Sequence, residues 1–576
     1  MEKYIIKSIY VSLLLIFSIS ACAQPLHQKG KFTKQDTLRG SITPERAWWN
    51  VLYYDINVTP DYKTKTIKGQ VKITYNIIKQ PNGKVKMQID LQEPMRIDRV
   101  FSNDGQTVSV MKTPTGGGSN LHQLARQLKF TRQGNVYYIE DAPAKNNIDS
   151  ITIEFSGAPR AAVNPPWDGG WIWGKDAKGR PWMTVACQGL GASVWYPCKD
   201  HQSDEPDLGA SLSITVPDTL VAVANGRLAF QKDNRDGTTT WKWEVKSPIN
   251  NYNIVPYIGK YVHWSDNYIG ETEKNLSLDY WVLDYNLEKS KKQFGQDVKP
   301  MLKAFEYWFG PYPFYEDGYK LVESSHLGME HQSAVAYGNH YQNGYLGMDL
   351  SGSGWGLKWD YIIVHESGHE WFANNITTND IADMWIHEGF TMYSEVLFTE
   401  YHYGKKAGDE YLQGIRKKIS NDKPLIGPYG VNQEGSSDMY NKGASLLHTI
   451  RQIINDDSVF RKILRGLNSE FYHKTVDSKD VEAYFSKIAG IDLSKVFDQY
   501  LRTIKIPQLE YKIVGDNLSY RWANCVNGFA MPVKLEGVDV WLKPTTEWKS
   551  ITMTAELMSK TISTSKNFYV TTRKVE

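Results

Sequence analysis

Two histidines four positions apart with a glutamate after the first, His365-Glu366-Ser367-Gly368-His369, constrain this chain more than any other run in it. Residues at i and i+4 share one face of a helix, so both imidazoles reach a single point only if the segment is helical. Ile362, Ile363 and Val364 lead in with an apolar face that seats such a helix in a core. Glu366 then projects beside the pair, toward a water held between them. With 13 His and 28 Glu among 576 residues, chance supplies this pattern in about one such sequence in seventy, so the motif carries weight. Gly368 opposes the reading, because glycine costs a helix about 1 kcal/mol.

Paired imidazoles at this spacing suit zinc, which needs a third protein ligand and, in a catalytic site, an open fourth position. Glu388, nineteen residues after His369 in Trp385-Ile386-His387-Glu388-Gly389-Phe390, can supply that ligand from the next helix. The set is then His365, His369 and Glu388 around one Zn²⁺ per chain. Glu395 falls two turns beyond Glu388 on the same face, where it can accept a hydrogen bond from a ligand histidine and fix its tautomer. The competing reading of Glu395 is a solvated helix acid. His326, His340, His387 and His448 are not expected as ligands, since the set is complete without them.

The surrounding pattern is β, then helical, then β. Val51–Thr59, Ile67–Tyr75 and Ile151–Phe155 alternate apolar and polar residues, as half-buried strands do. Gly116–Gly118 reads as a loop. Apolar residues take helical spacing over Lys292–Trp308, stopped by Gly310-Pro311, and over Gly443–Ile454. Leu509–Val514, Leu518–Trp522 and Val538–Leu542 read as strands again. At about 150 residues per domain the length gives three or four domains. We place them at 40–280 (β), 281–505 (helical, carrying the metal motif) and 506–576 (a small β unit).

Charge excludes one broad class. Lys+Arg 66 against Asp+Glu 64 leaves +2, too weak a field to expect nucleic acid as a partner. Four cysteines in this length make no disulfide framework, and none form a Cys-x-x-Cys metal pair. At the N-terminus, Lys3 and Lys7 precede the apolar run Ile9–Ile19 and the small residues Ser20 and Ala21, the pattern of a signal peptide over 1–23. Two outcomes stay open. Ile19-Ser20-Ala21-Cys22 matches a bacterial lipobox that would place a lipid on Cys22, and Ala21-Cys22-Ala23 matches a cleavage site before Gln24. Either predicts an exported chain, periplasmic or anchored in the outer membrane as a lipoprotein.

Further residues carry a resemblance. Trp371-Phe372, Asn374, Thr377 and Asp383-Met384-Trp385-Ile386, set around the metal motif, resemble the aminopeptidase N family of zinc peptidases. Gly328-Met329-Glu330-His331 looks like that family's G-x-M-E-N exopeptidase motif. Tyr440-Asn441-Lys442-Gly443-Ala444-Ser445 looks like its Y-x-K-G-A-S, and Gln188 resembles its substrate-binding glutamine. The matches run in family order from Gln188 to Ser445. The resemblance implies a multidomain α+β fold: a β saddle, a thermolysin-like and mainly helical catalytic domain, and a small C-terminal β-sandwich. It implies peptide substrates with free N-termini, with Gln188, Gly328, Met329 and Glu330 binding them.

Chemistry agrees with these assignments. A Glu330 carboxylate offers a charge-assisted contact to an α-ammonium group one residue from the scissile bond. Glu366 serves as general base to the metal's water, and the Tyr440 phenol can stabilise developing oxyanion charge. Trp167–Trp182, rich in Trp and Gly, either lines the pocket or packs internally. Two positions depart from the family pattern: Leu327 replaces its first glycine and His331 its asparagine. Many relatives continue into a large helical domain, whereas about seventy residues follow Ile506, so the cleft is expected either more open or closed by a second subunit. Rival readings are a thermolysin-like endopeptidase, which has no use for Glu330, and a zinc-binding lipoprotein that holds peptides without cutting them.

Overall fold

The computed structural model describes residues 31–81, 86–103, 126–144 and 147–576. The leader, Cys22 and the Gly116–Gly118 loop lie outside them. Strands Trp49–Asp61 and Thr66–Ile77 pair antiparallel, with Ile56 opposite Val71 and Tyr54 opposite Ile73. Alternation buries Tyr54, Ile56, Val71 and Ile73 on one face, as the period-two pattern requires. Ile148–Gly157 joins on one side, and Ala210–Pro217 joins on the other in parallel. These are the centre of an eight-stranded sheet. Smaller sheets, including Gly170–Lys175 beside Pro181–Ala186, complete the N-terminal β domain.

A five-stranded sheet follows: Tyr261–Ile269, Asn275–Leu283, Tyr319–Glu323, Val335–Tyr337 and, outermost, Gly328–Met329. It runs across the boundary drawn from the sequence at 280, where both sides are strand and the hydrophobic period does not change. Helices then dominate. We number Lys34–Gly40 α1, Leu287–Phe309 α2, Tyr361–Gly368 α3, Trp385–Tyr403 α4, Lys405–Arg416 α5, Asn441–Ile454 α6 and Asp457–Glu470 α7. Phe294, Val298, Met301, Leu302, Phe305 and Phe309 form the buried stripe of α2, at the three-and-four spacing of an amphipathic helix. Its last turn closes where Gly310 takes φ +94°. Among the described residues no helix is long and apolar enough to cross a membrane.

The C-terminal β unit has a four-stranded sheet and a two-stranded one. Leu509–Val514 and Leu518–Trp522 lie in paired strands, but of Val538–Leu542 only Trp541–Leu542 is strand. Gly537 at φ +71° turns the chain just before it, and pairing starts again at Trp541. This unit shares one continuous core with the helices, reaching from Leu276 to Tyr569. A second core fills the N-terminal domain and takes in Met329 and Ala336 of the five-stranded sheet. The two domains therefore meet at the strand that carries Gly328 and Met329.

Helices α4 and α6 touch backbone to backbone. A Cβ on Gly443 would lie 2.8 Å from the Gly389 Cα, closer than packed atoms tolerate. Gly443→Ala gains about 1 kcal/mol of helix propensity, yet overpacking against a neighbouring main chain costs about 1–3 kcal/mol. The expected net result is a lower thermal unfolding midpoint, measured by scanning fluorimetry on matched samples.

Candidate metal centre

Helix α3 starts at Asp360, whose carboxylate accepts hydrogen bonds from the Ile362 and Ile363 amides at 3.1 and 3.4 Å, a side-chain N-cap. Every residue of α3 is buried. Gly368, which looked unfavourable from propensity, has a packing reason: a Cβ there would sit 2.5 Å from the Ser394 Oγ. Glycine lets α3 cross close over α4. Beyond His369 the helix breaks, with Phe372 at φ −130° and Ala373 at φ +141°. The latter is strained for a residue bearing a Cβ. That bend returns the Phe372 carbonyl to His369 Nδ1 at 3.0 Å, beside the Thr391 hydroxyl, also at 3.0 Å.

A carbonyl can only accept, so His369 Nδ1 carries a proton, and in the neutral ring Nε2 keeps its lone pair for a cation. His365 is set the same way. Its Nδ1 lies 2.6 Å from Glu395 Oε1, and Tyr411 donates to the other oxygen of that carboxylate at 2.6 Å. Both bare Nε2 atoms face Glu388, whose Oε2 is 3.8 Å from His365 and 3.3 Å from His369. Tetrahedral zinc bonded at 2.0–2.1 Å places its ligand atoms about 3.4 Å apart. The three ligand atoms lie within 4.8 Å of one another, and all three residues are buried. The donor set fits a zinc ion. His387 instead accepts from the Thr378 amide at 2.9 Å, and among the described residues His326, His340 and His448 also stand outside the cluster.

Electrostatics make the same demand. Burial pushes the Glu366 carboxyl well above the usual carboxylate range, with His369 opposing and Glu330 and Glu388 adding to the shift. Burial likewise raises Glu388, against the pull of His369 and the Tyr440 hydroxyl. His369 would be depressed by burial, but Glu388, Glu330 and Glu366 outweigh it and lift the imidazole to about 10. Glu395 is pushed up to about 8 by burial, with Tyr411 and Tyr361 pulling it down. A cation at their centre would let these carboxyls ionise while buried.

The substrate-binding residues expected from the sequence converge here. Glu330 follows the strand Gly328–Met329. Its Oε1 accepts from Gln188 Nε2 at 2.6 Å and from the Tyr252 hydroxyl at 2.9 Å. Both partners belong to the N-terminal domain. Gly328 passes so near the base that a Cβ would lie 2.7 Å from Glu366 Oε1. Met329 is buried in the N-terminal core while still lining the pocket. Tyr440 stands at the start of α6, its ring 6.2 Å from that of His365. His331 bonds the Tyr257 hydroxyl at 2.5 Å, away from the ligand cluster. Tyr252, Tyr411 and Thr391 went unnoticed in the sequence because each acts across a long separation, and the Phe372 carbonyl because only the break in the helix after His369 turns it back.

Comparison with known proteins gives two family matches: the peptidase family M1 domain over residues 295–500 and the peptidase M1 N-terminal domain over 50–252. Aminopeptidase 2, mitochondrial, of Saccharomyces cerevisiae is 22% identical over 518 residues, 86% of this chain and 50% of its own. Aminopeptidase N of Rattus norvegicus is 24% identical over 317 residues, 51% of this chain and 32% of its own. This chain thus spans half or less of those relatives. Among solved structures, a variant of the M1 zinc metallopeptidase of Deinococcus radiodurans bound to a Tyr-Ser-Ala substrate superposes with TM-score 0.63 at 18% identity, over 79% of this chain and 95% of that one. That likeness speaks for the fold.

If Glu395 fixes the His365 tautomer, Glu395→Gln should weaken zinc binding by about 10–100-fold. Competition against a chromogenic chelator measures it, and unchanged affinity would remove Glu395 from the metal site.

Proposed function

This chain belongs to peptidase family M1, and from that premise we propose that it is a zinc aminopeptidase, hydrolysing the first residue from peptides with a free N-terminus. The observation that carries the reading is Glu330. It is a buried carboxylate positioned by Gln188 and Tyr252, and it stands beside Glu366 and His369 with ligand atoms within 4.8 Å of one another. An anchor for an ammonium group so near the base leaves room for one residue before the cut. An endopeptidase has no need of it.

His365, His369 and Glu388 would hold the zinc ion. When bound, zinc supplies Lewis acidity, lowering the pKa of a coordinated water to about 7 and polarising the substrate carbonyl. Glu366 takes the proton of the attacking water and later delivers it to the departing amine. Glu330 grips the α-ammonium group and fixes the reacting residue. Tyr440 donates a hydrogen bond to the carbonyl oxygen as negative charge develops. Glu395, Tyr411 and the Phe372 carbonyl keep both imidazoles in the metal-binding tautomer.

Export also belongs to this proposal. The basic, apolar and small-residue run from Lys3 to Cys22 supports it, with a lipid on Cys22 or cleavage before Gln24 as its two forms. Mass spectrometry of the mature N-terminus separates them. For the chemistry, Glu366→Gln should keep its zinc and lose turnover by about 10²–10⁴-fold; an active variant would displace Glu366 as the base. Glu330→Ala should lose kcat/KM on free peptides while metal content stays near one ion per chain. A wild-type protein that cuts N-acetylated and free peptides equally well would rule out the amine anchor. A chelator should abolish activity, and added zinc restore it.

A further inference from the structure

We propose that Leu327, with Pro166 and Trp167 of the N-terminal domain, forms the pocket for the side chain of a peptide's second residue and selects compact, apolar side chains there. The inference rests on the aminopeptidase reading for where the amine sits.

The strand Gly328–Met329 is the outermost of its sheet and pairs on one side with Val335–Tyr337. Its other edge can run alongside an extended peptide. Positions along it are marked by what they touch. Glu330, at one end, is the amine anchor. Two residues back, Gly328 brushes the base, at 2.7 Å from its Cβ position to Glu366 Oε1. Leu327 comes one residue further. At about 3.3 Å per residue, a peptide with its amine at Glu330 reaches its scissile bond near Gly328 and carries its second residue toward Leu327.

Leu327 lines the same cavity as the metal ligands, and so do Pro166 and Trp167. The loop that brings those two is fastened at its base. Asp168 accepts from the Val163 and Asn164 amides at 2.7 and 2.8 Å, and Arg160 donates to the Asp168 and Gly169 carbonyls at 2.5 and 3.2 Å. Trp167 is therefore a wall carried on a braced loop. Pro166 and Trp167 share that cavity with Glu366 and Glu388, so the wall stands close against the reacting groups. Leu327 and Pro166 offer no polar atom and Trp167 only its indole N–H, so a charged side chain entering among them sheds hydration that at most one hydrogen bond replaces. Leucine stands at 327 where the resembled motif has glycine, so the added side chain narrows this end of the cavity in this chain.

The test is a tripeptide series Ala-X-Gly with X as Ala, Val, Phe, Asp or Lys, read as kcat/KM on wild type and as Kd by calorimetry on Glu366→Gln. Wild type should favour Ala and Val over Phe, Asp and Lys by about tenfold or more. Leu327→Gly, with Leu327→Ala as a milder second variant, should raise Phe relative to Ala by about tenfold. Trp167→Ala should narrow the gap between Val and Asp. A parallel X-Ala-Gly series should keep its order in both Leu327 variants. Unchanged selectivity over the second residue in Leu327→Gly and Leu327→Ala overturns the proposal, as does a shift confined to the first residue. Selective binding by Glu366→Gln without turnover by wild type would sink the aminopeptidase reading and leave the pocket standing. Flat binding across the series overturns the pocket.

Discussion

Four glutamates crowd one solvent-poor site: Glu330, Glu366, Glu388 and Glu395 are all buried around two imidazoles. Charges of one sign cannot be held that close in a low-dielectric interior unless protons or a cation offset them. In the protein alone the offset falls on His369, lifted far above its ordinary range, and on the raised proton affinities of Glu366, Glu388 and Glu395. A divalent ion held by His365, His369 and Glu388 would relieve the same repulsion and leave that imidazole a neutral ligand. Much of the surrounding architecture follows from seating such an ion. The N-cap at Asp360 holds α3, a glycine at 368 lets α3 approach α4, and the strained bend at Ala373 delivers a carbonyl to the back of a ligand.

The metal set was legible in the sequence because helices make spacing equivalent to geometry. His365 and His369 share a face by their separation alone, and Glu388 and Glu395 share one two turns apart. The order of β, helical and β regions was legible for the same reason, since periodicity reports burial. Glu330, Gln188 and Tyr440 were different, because none has a local pattern that marks it and only their resemblance to family motifs picked them out. What stayed hidden was set by long-range contacts. Tyr252 lies 78 residues from the carboxylate it touches, and Tyr411 reaches Glu395 from another helix. Gly368 was misjudged, because intrinsic propensity ignores a close helix crossing that only tertiary structure reveals. Val538–Leu542 failed for a related reason: its alternation was real, but the turn at Gly537 left two residues able to pair.

The placement of the site between two cores also has physical meaning. Gln188 and Tyr252 belong to one domain and the Glu330 they position to the other, while Met329 reaches across into the N-terminal core. The metal ligands all lie on the helical side. The cation-binding cluster and the contacts that position Glu330 are thus assigned to different parts of the fold. A disturbance at the domain junction would displace the Glu330 carboxylate before it disturbed the ligands.

The helical region and the C-terminal β unit form one core, and α6, which begins beside Tyr440, is tied to that unit by the Tyr569 amide donating to Thr449 Oγ1 at 3.1 Å. Arg416 of α5 reaches the Lys566 and Phe568 carbonyls in the same way. During synthesis the N-terminal domain can mature first, but the helical half must wait for residues as late as Tyr569 to leave the ribosome. A nascent chain therefore carries no finished metal centre until those late residues have emerged.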